Sequence, residues 1–296
     1  MRERFKRLWI VAVIILWGSI SWGDVKIGML AQRGPDAALK EWGGIESYLT
    51  EQLGEKVTVV PLAFSEFMDF CDANRSEFIF TNPWFYVKAK VKKGANALVT
   101  VKYQKSGTTM GGVIFTRRDS GISTLADLKG KVLMCPKFSS PGGWLFAKGE
   151  MVKAGIVPEK DCRLLLESPE ESHDDVVYAV RDQKADVGTV RTNILETMQR
   201  EGKISIQDFR ILNEMRHEAL PELCSTPLYP DWPVASLDST PSDVAARMKS
   251  ALLAIPPGHP ALEQARKIER FVQALDYGPM EDLCRLLNVD PFRRMR

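Results

Sequence analysis

Hydroxyl, imidazole and guanidinium side chains come together in one short stretch of this 296-residue chain, residues 172–192. Ser172, His173 and Asp174 open a helical pattern, and the short apolar strand pattern that follows ends at Arg191. A helix start and a strand end that share a crevice favour negative charge, because free backbone N–H groups and the helix dipole point into it. The chemistry that this stretch predicts is the binding of a small oxyanion.

A second polar segment, the turn Phe138–Trp144, has Ser139, Ser140 and Gly142 just before a helical pattern. Serines in this position are also ordinary N-caps, which is the alternative role of both. Two adjacent serines followed by proline and glycine favour a turn that is open to an anion. Loops after the first and third strands are further candidates, because open α/β sheets receive ligands there. The predicted ligand-binding residues are Ser139, Ser140, Gly142, Ser172, His173, Asp174, Thr189, Arg191, Arg33, Asn82 and Trp84.

Each charged candidate has a predicted role and an alternative. We expect His173 to donate to a bound oxygen while Asp174 holds its other ring nitrogen, although a lone histidine is more often structural. Arg191, which follows Thr189 at the strand end, is predicted as a bidentate anion contact, with a surface ion pair as the alternative. Trp84 is either a wall of the binding cleft or a core residue.

Catalysis is not expected, although serine, histidine and aspartate are adjacent. Neighbours on one helical turn cannot easily form a nucleophile relay, and the sequence has no G-x-S-x-G elbow. The five cysteines show no CxxC spacing, so we expect no metal and no cofactor, and their disulfide pairing stays open. With 40 Lys and Arg against 38 Asp and Glu, no nucleic-acid partner is expected.

The first residues predict the compartment. Four basic side chains precede the apolar run 8–20, and small residues stand where a signal peptidase cleaves, which predicts a signal peptide over 1–23 with cleavage after Gly23. The apolar run is shorter than the ~20 residues of a membrane span, so an uncleaved anchor is the weaker alternative. We therefore predict a periplasmic protein.

Strand patterns alternate with helical patterns after the cleavage site, beginning with Val25–Leu30 and the helix Ala37–Leu53, whose apolar face includes Leu39. This order predicts an α/β fold with largely parallel sheets. The predicted divisions are the first part of lobe 1 over 24–113, lobe 2 over 114–220, and a return to lobe 1 with closing helices over 221–296. Those closing helices include Pro260–Ala274 and Met280–Leu287.

Taken together, these segments resemble the substrate-binding proteins of phosphate, phosphite and phosphonate ABC importers over about residues 25–292. The likeness is firmest at Ser139–Gly142, Ser172–Asp174, Asp127–Lys131 and Asp186–Gly188. The resemblance implies a type II periplasmic binding protein, with two α/β lobes joined by a two-crossing hinge. It also implies that Ser139, Ser140, Ser172 and His173 form the core of an oxyanion site.

A closer likeness is to the periplasmic sensor domains of tetrathionate-type histidine kinases, in Asp186–Thr192, Ser225–Pro233 and Leu275–Pro279. Two features depart from the importers. Arg191 stands near a position where importer-type binders usually have an acidic or amide residue, which reverses the local charge and disfavours an aminoalkylphosphonate. Asn82-Pro83-Trp84 replaces the usual Gly-Pro.

The expected function is capture of a phosphonate, phosphite or phosphate-like anion for an ABC permease, by a monomer that is not an enzyme. The alternative is a free-standing sensor module for an oxyanion such as tetrathionate, which signals to a membrane-bound kinase or cyclase. In either case, ligand binding is expected to close the two lobes around the anion.

Overall fold

The computed structural model describes residues 24–32, 34–265 and 267–293 of the chain. The predicted signal peptide with its cleavage site after Gly23, and the candidate ligand residue Arg33, lie outside these described residues. In the described ranges, no helix has the length and hydropathy that a membrane span requires.

The described chain forms two large β-sheets with helices packed against them and a third sheet of two short strands. The strands are β1 (Val25–Leu30), β2 (Val57–Leu62), β3 (Phe78–Phe80), β4 (Asn96–Tyr103), β5 (Thr109–Met110), β6 (Gly112–Arg117), β7 (Val132–Cys135), β8 (Leu164–Glu167), β9 (Val187–Arg191), β10 (Phe209–Leu212), β11 (Tyr229–Pro230), β12 (Pro233–Ser236) and β13 (Ile268–Gln273). The helices are α1 (Pro35–Leu53), α2 (Phe67–Asp72), α3 (Pro83–Lys93), α4 (Phe146–Lys153), α5 (Pro158–Asp161), α6 (His173–Arg181), α7 (Ile194–Arg200), α8 (Ser242–Leu253) and α9 (Gly278–Leu286).

The first sheet, which with its helices we call lobe 1, has the strand order β13-β4-β12-β3-β1-β2. The strands β2, β1 and β3 run parallel, as expected, whereas β12, β4 and β13 pair antiparallel with their neighbours. Helix α1 begins with Pro35 and ends at Gly54, whose φ of 67° is left-handed. It buries Trp42 and Ile45 against this sheet, but Leu39 is exposed, because Ala38 takes the inward position.

The second sheet, with its helices, forms lobe 2 and has the order β10-β6-β9-β7-β8. One side of it is the parallel set β8, β7 and β9, and β6 pairs antiparallel with β9. Parallel strands end at the same edge of a sheet. The polar segments that leave β7 and β9 therefore emerge side by side, together with the start of α6, which packs against β9.

Two adjacent crossings join the lobes. The chain passes from β4 to β6 through β5 and returns from β10 to β12 through β11, and β5 pairs antiparallel with β11. Gly112 donates its N–H to the Thr226 hydroxyl and accepts from the Ser225 N–H, at 3.0 and 2.8 Å. Two short hydrogen-bonded crossings of this kind form a hinge between two lobes.

One predicted element is wrong. The segment Pro260–Ala274 was expected to be a helix, but the structure has a short 3₁₀ turn at Pro260–Leu262 and then the strand β13. This strand pairs antiparallel along β4 and buries Ile268 and Phe271. Pairing with the edge of a sheet that is distant in sequence therefore overrides the local helical pattern.

Candidate functional site

The turn that leaves β7, Ser139–Gly143, which we call the serine turn, opens a π-helical turn over Pro141–Leu145 that continues into α4. Ser140 is the N-cap: its Oγ accepts the Gly143 N–H at 3.1 Å, which leaves the hydroxyl proton free to donate. The Ser139 Oγ is buried and has no hydrogen-bond partner among the described residues. Such an orphaned hydroxyl is costly unless a ligand supplies its partner.

Strand β9 and helix α6 press directly on the serine turn. The Thr189 hydroxyl donates to the Gly143 carbonyl at 2.6 Å, so its proton positions the turn. A Cβ added to Gly143 would come within 3.0 Å of the His173 ring, and one added to Gly142 within 3.1 Å of Arg191 Cγ. The glycines are therefore required for close approach, and the structure brings these predicted residues into one cluster.

His173, at the start of α6, is held as a neutral donor. Its Nδ1 accepts the Arg191 backbone N–H at 3.3 Å, so a neutral ring carries its proton on Nε2. Burial, assisted by the nearby positive charge of Arg191, lowers the pKa of His173 to about 4. The ring is thus uncharged near neutral pH and offers one N–H to a ligand oxygen.

Asp174 does not hold the His173 ring, contrary to the sequence-based expectation. Its carboxylate forms an ion pair with Lys203 at 2.9 Å on the partly exposed side of α6. Residues adjacent on a helix project about 100° apart, so Asp174 cannot reach the far side of the His173 ring. The backbone N–H of Arg191, on the neighbouring strand β9, takes over the orienting role.

Ser172 is the N-cap of α6, and its Oγ accepts the Asp175 N–H at 3.4 Å. Its own N–H donates to the Ser168 Oγ at 3.1 Å, and the Ser168 N–H donates to the carbonyl of Cys135, the last residue of β7. This connection ties the start of α6 to the strand end from which the serine turn departs. Two helix starts with serine N-caps therefore belong to one corner of lobe 2, which, as the candidate site, we call the anion-binding corner.

Arg191 carries its own counterion, which was not among the predicted site residues. Its Nη2 donates to Asp231 Oδ2 at 2.7 Å, and Asp231, between β11 and β12, is completely buried. Burial raises the pKa of Asp231, and the Arg191 charge opposes that rise. The local charge is consequently balanced rather than reversed. The only sequence signal was the Pro-Asp-Trp-Pro crossing, because the two residues lie 40 positions apart.

Lobe 1 contributes polar groups at the carboxyl end of β3. Asn82 is the N-cap of α3, and its Oδ1 accepts the Phe85 N–H at 3.0 Å. The Nδ2 of Asn82 and the Oγ1 of Thr81 are buried, and neither has a partner in the described part of the chain. Thr81 was not predicted, although its place at a strand end is the same signal that identified Asn82.

Trp84 is fixed within lobe 1 rather than free to stack on a ligand. Its indole N–H donates to the Asp290 carbonyl at 2.7 Å, and the Lys88 ammonium lies 3.9 Å from its ring centre. One edge of the side chain lines a cavity of about 470 Å³, across which lie Ser139 and Trp144 of lobe 2. The aromatic side chain is thus part of the wall between the lobes.

The described residues do not assemble three histidine, cysteine or acidic side chains as metal ligands. All five cysteines are free thiols, and burial raises the pKa of Cys71 to about 12 and that of Cys162 to about 11. The arrangement is a set of mostly uncharged donors in a corner of lobe 2, and lobe 1 has further orphaned polar groups on Thr81 and Asn82 at the end of β3. This geometry suits the binding of an oxyanion.

Two α/β lobes, a double crossing and a polar corner at the lobe interface define a type II solute-binding protein. The chain belongs to the phosphonate-binding family of periplasmic proteins: the family model described as "ABC transporter, phosphonate, periplasmic substrate-binding protein" matches residues 27–277. The proteins of this family, by that description, bind substrates for transport and reside in the periplasm.

Individual relatives agree with this family. The tetrathionate sensor histidine kinase TtrS of Salmonella typhimurium is 33% identical over 257 residues, which cover 85% of this chain but only 43% of the kinase. Among solved structures, PhnD1 from Prochlorococcus marinus in complex with methylphosphonate matches with a TM-score of 0.68 at 16% identity, covering 89% of this chain and 98% of PhnD1. A protein from Xanthomonas citri bound to ATP matches with a TM-score of 0.71 at 18% identity, and the match covers 90% of this chain and 96% of that protein.

Proposed function

We propose that this protein captures a small oxyanion of the phosphonate, phosphite or phosphate type between its lobes and delivers it to an ABC permease. The observation that supports the proposal is the donor set of the serine turn and α6. The unpartnered Ser139 hydroxyl lies in the same turn as the Ser140 hydroxyl, and His173 contacts that turn with an N–H to donate. Such preorganised neutral donors suit a fully desolvated anion.

Closure of the lobes around the anion is part of this proposal, and the orphaned groups on lobe 1 support it. The Thr81 hydroxyl and the Asn82 amide are buried without partners in the described chain, as is the Ser139 hydroxyl of lobe 2. An anion with several oxygens would supply acceptors to both sets at once, so its binding stabilises the closed arrangement. The predicted lobe boundaries at residues 113 and 220, and a monomeric state, belong to this proposal.

A second candidate function is a sensor module for an oxyanion such as tetrathionate, which signals to a membrane-bound kinase or cyclase. It is favoured by the 33% identity to a tetrathionate sensor kinase over 85% of this chain. Both functions share the same site and the same periplasmic location after cleavage behind Gly23. They differ only in the partner that recognises the closed form.

A thermal-shift screen tests the binding proposal. The panel contains methylphosphonate, phosphite, phosphate, ATP, tetrathionate, thiosulfate and sulfate, each applied to the secreted protein. A ligand at 100 times its Kd stabilises the fold by about 2.7 kcal/mol, which raises the melting temperature by several degrees. The absence of a shift with every anion would refute the oxyanion proposal.

The partner is tested separately with the anion that binds. Loss of uptake of that anion after deletion of the gene supports delivery to a permease. Unchanged uptake, combined with the loss of an anion-dependent phosphorylation response in the same strain, supports the sensor role instead.

A further inference from the structure

Asp231 is a buried carboxylate at the junction of the hinge and lobe 1. Its Oδ1 accepts the N–H of Trp232 at 2.9 Å, its backbone N–H donates to the Thr108 carbonyl, and its carbonyl accepts from the Tyr277 hydroxyl at 2.6 Å. The side chain has no exposed surface. These bonds fix the carboxylate in place, so it cannot turn away to reach solvent.

The cation that faces this carboxylate belongs to lobe 2. Arg191 reaches it with Nη2 at 2.7 Å, while the Arg191 backbone is held by His173 and its Cβ and Cγ lie against Gly142. The Arg191 side chain keeps 28% of its surface exposed beside the anion-binding corner. The pair therefore joins lobe 2 to the hinge and lies beside the candidate ligand site.

A carboxylate without solvent must have a cationic or hydrogen-bonding partner, because an unpaired buried charge is strongly unfavourable. In this chain the partner of Asp231 is the Arg191 side chain. A ligand therefore does not need to bring a positive charge to neutralise this carboxylate. We propose that Asp231 and Arg191 together determine specificity: Arg191 neutralises a buried carboxylate that would otherwise stabilise a ligand's ammonium group, and the site selects oxyanions that carry no cationic substituent. This inference rests on the proposed oxyanion-binding function and extends it to Asp231.

Two ligands of nearly equal shape test the inference: propylphosphonate and 2-aminoethylphosphonate, in which a methyl group is replaced by an ammonium group. Dissociation constants are measured by calorimetry for the wild type, Arg191→Met, Asp231→Asn and the double variant. We expect the wild type to bind propylphosphonate more tightly. Arg191→Met exposes the carboxylate to the ligand and should shift the ratio of the two constants toward 2-aminoethylphosphonate by at least about tenfold, or 1.4 kcal/mol.

The other variants control for charge and folding. Asp231→Asn leaves the Arg191 charge uncompensated and should shift the ratio in the opposite direction, further against the ammonium. The double variant removes both charges and should discriminate little, and it should melt at a higher temperature than Arg191→Met because no unpaired carboxylate stays buried. If Arg191→Met does not fold, the shift in Asp231→Asn decides the question.

Several results would overturn the inference. The first is a ratio of the two dissociation constants that stays within threefold of the wild-type ratio in both single variants. The second is that folded Arg191→Met binds neither phosphonate. The third is a double variant that is no more stable than Arg191→Met. Failure of the proposed function is distinguishable, since then the wild type binds no anion of the screening panel. A wild type that binds an anion while these ratios stay unchanged refutes only the role of Asp231.

Discussion

Ser139 and Ser140 are adjacent, yet the same substitution should change stability in opposite directions. The Ser139 Oγ is buried without a partner in the described structure, whereas the Ser140 Oγ accepts the Gly143 N–H as an N-cap. Ser139→Ala removes an unsatisfied hydroxyl and should stabilise the ligand-free protein by about 1 kcal/mol. Ser140→Ala removes a cap and should destabilise it by about 1 kcal/mol.

For a protein of this size, each change corresponds to a shift of the melting temperature by about 2–4 °C, upward for Ser139→Ala and downward for Ser140→Ala. Ligand binding should weaken when Ser139 is replaced, because a hydrogen bond to a charged acceptor contributes about 1.5–3 kcal/mol. That loss corresponds to a Kd roughly 10- to 150-fold higher. The assays are thermal unfolding without ligand and calorimetric titration with the anion that the screen identifies.

Ser76 provides the matched control for this pair. Its Oγ is also buried and lacks a partner among the described residues, but it lies at the amino end of β3, away from the anion-binding corner. Ser76→Ala should therefore stabilise the protein and leave the Kd unchanged. A lower melting temperature in Ser139→Ala, or an unchanged Kd, would refute the argument that this hydroxyl is kept unsatisfied for the ligand.

Three further predictions follow from the same contacts. Thr81→Val should raise the melting temperature and raise the Kd of the anion at least about tenfold. Thr100→Val, which loses hydrogen bonds to Tyr277 and Leu275, should only lower the melting temperature. Equal effects of the two substitutions on the Kd would contradict this prediction. An NMR titration should give a pKa of about 4 for His173. The free energy of unfolding should fall as the pH decreases from about 6.5 to 4, because over this range the unfolded chain binds a proton that the folded ring does not. A free energy of unfolding that stays constant over this range would contradict the prediction. Asp174→Asn, which breaks the ion pair with Lys203, should change the Kd less than twofold. A larger increase in the Kd would show that Asp174 contributes to ligand binding.

Local patterns were sufficient to predict most elements and the helix starts of the candidate site. The serine turn is encoded by consecutive residues, because its N-cap bond joins the Ser140 hydroxyl to the Gly143 N–H three positions on. Ser172 was predictable as a helix start for the same reason, since an N-cap depends on a few adjacent residues. These features need no knowledge of distant contacts.

Features that depend on distant partners were mispredicted or missed. The helical pattern of Pro260–Ala274 gave no sign that the strand β4 would pair with Ile268–Gln273. The partner of Arg191 lies 40 residues away on the hinge, so neither strand nor turn patterns could assign Asp231. The expected contact between Asp174 and His173 does not form, because residues adjacent in sequence point in different directions from a helix.

The charges around the site are mostly cancelled within the protein, which changes how affinity must arise. Asp231 compensates Arg191, Glu171 pairs with Lys137, and His173 is neutral. An anion in this corner therefore meets oriented hydroxyls and N–H groups rather than net positive charge. Hydrogen bonds from fixed donors weaken steeply with distance and angle. The affinity of such a site therefore depends more on the positions of the ligand's oxygens than on its total charge. We therefore expect a site of this design to distinguish oxyanions by shape, whereas an uncompensated arginine would attract any anion.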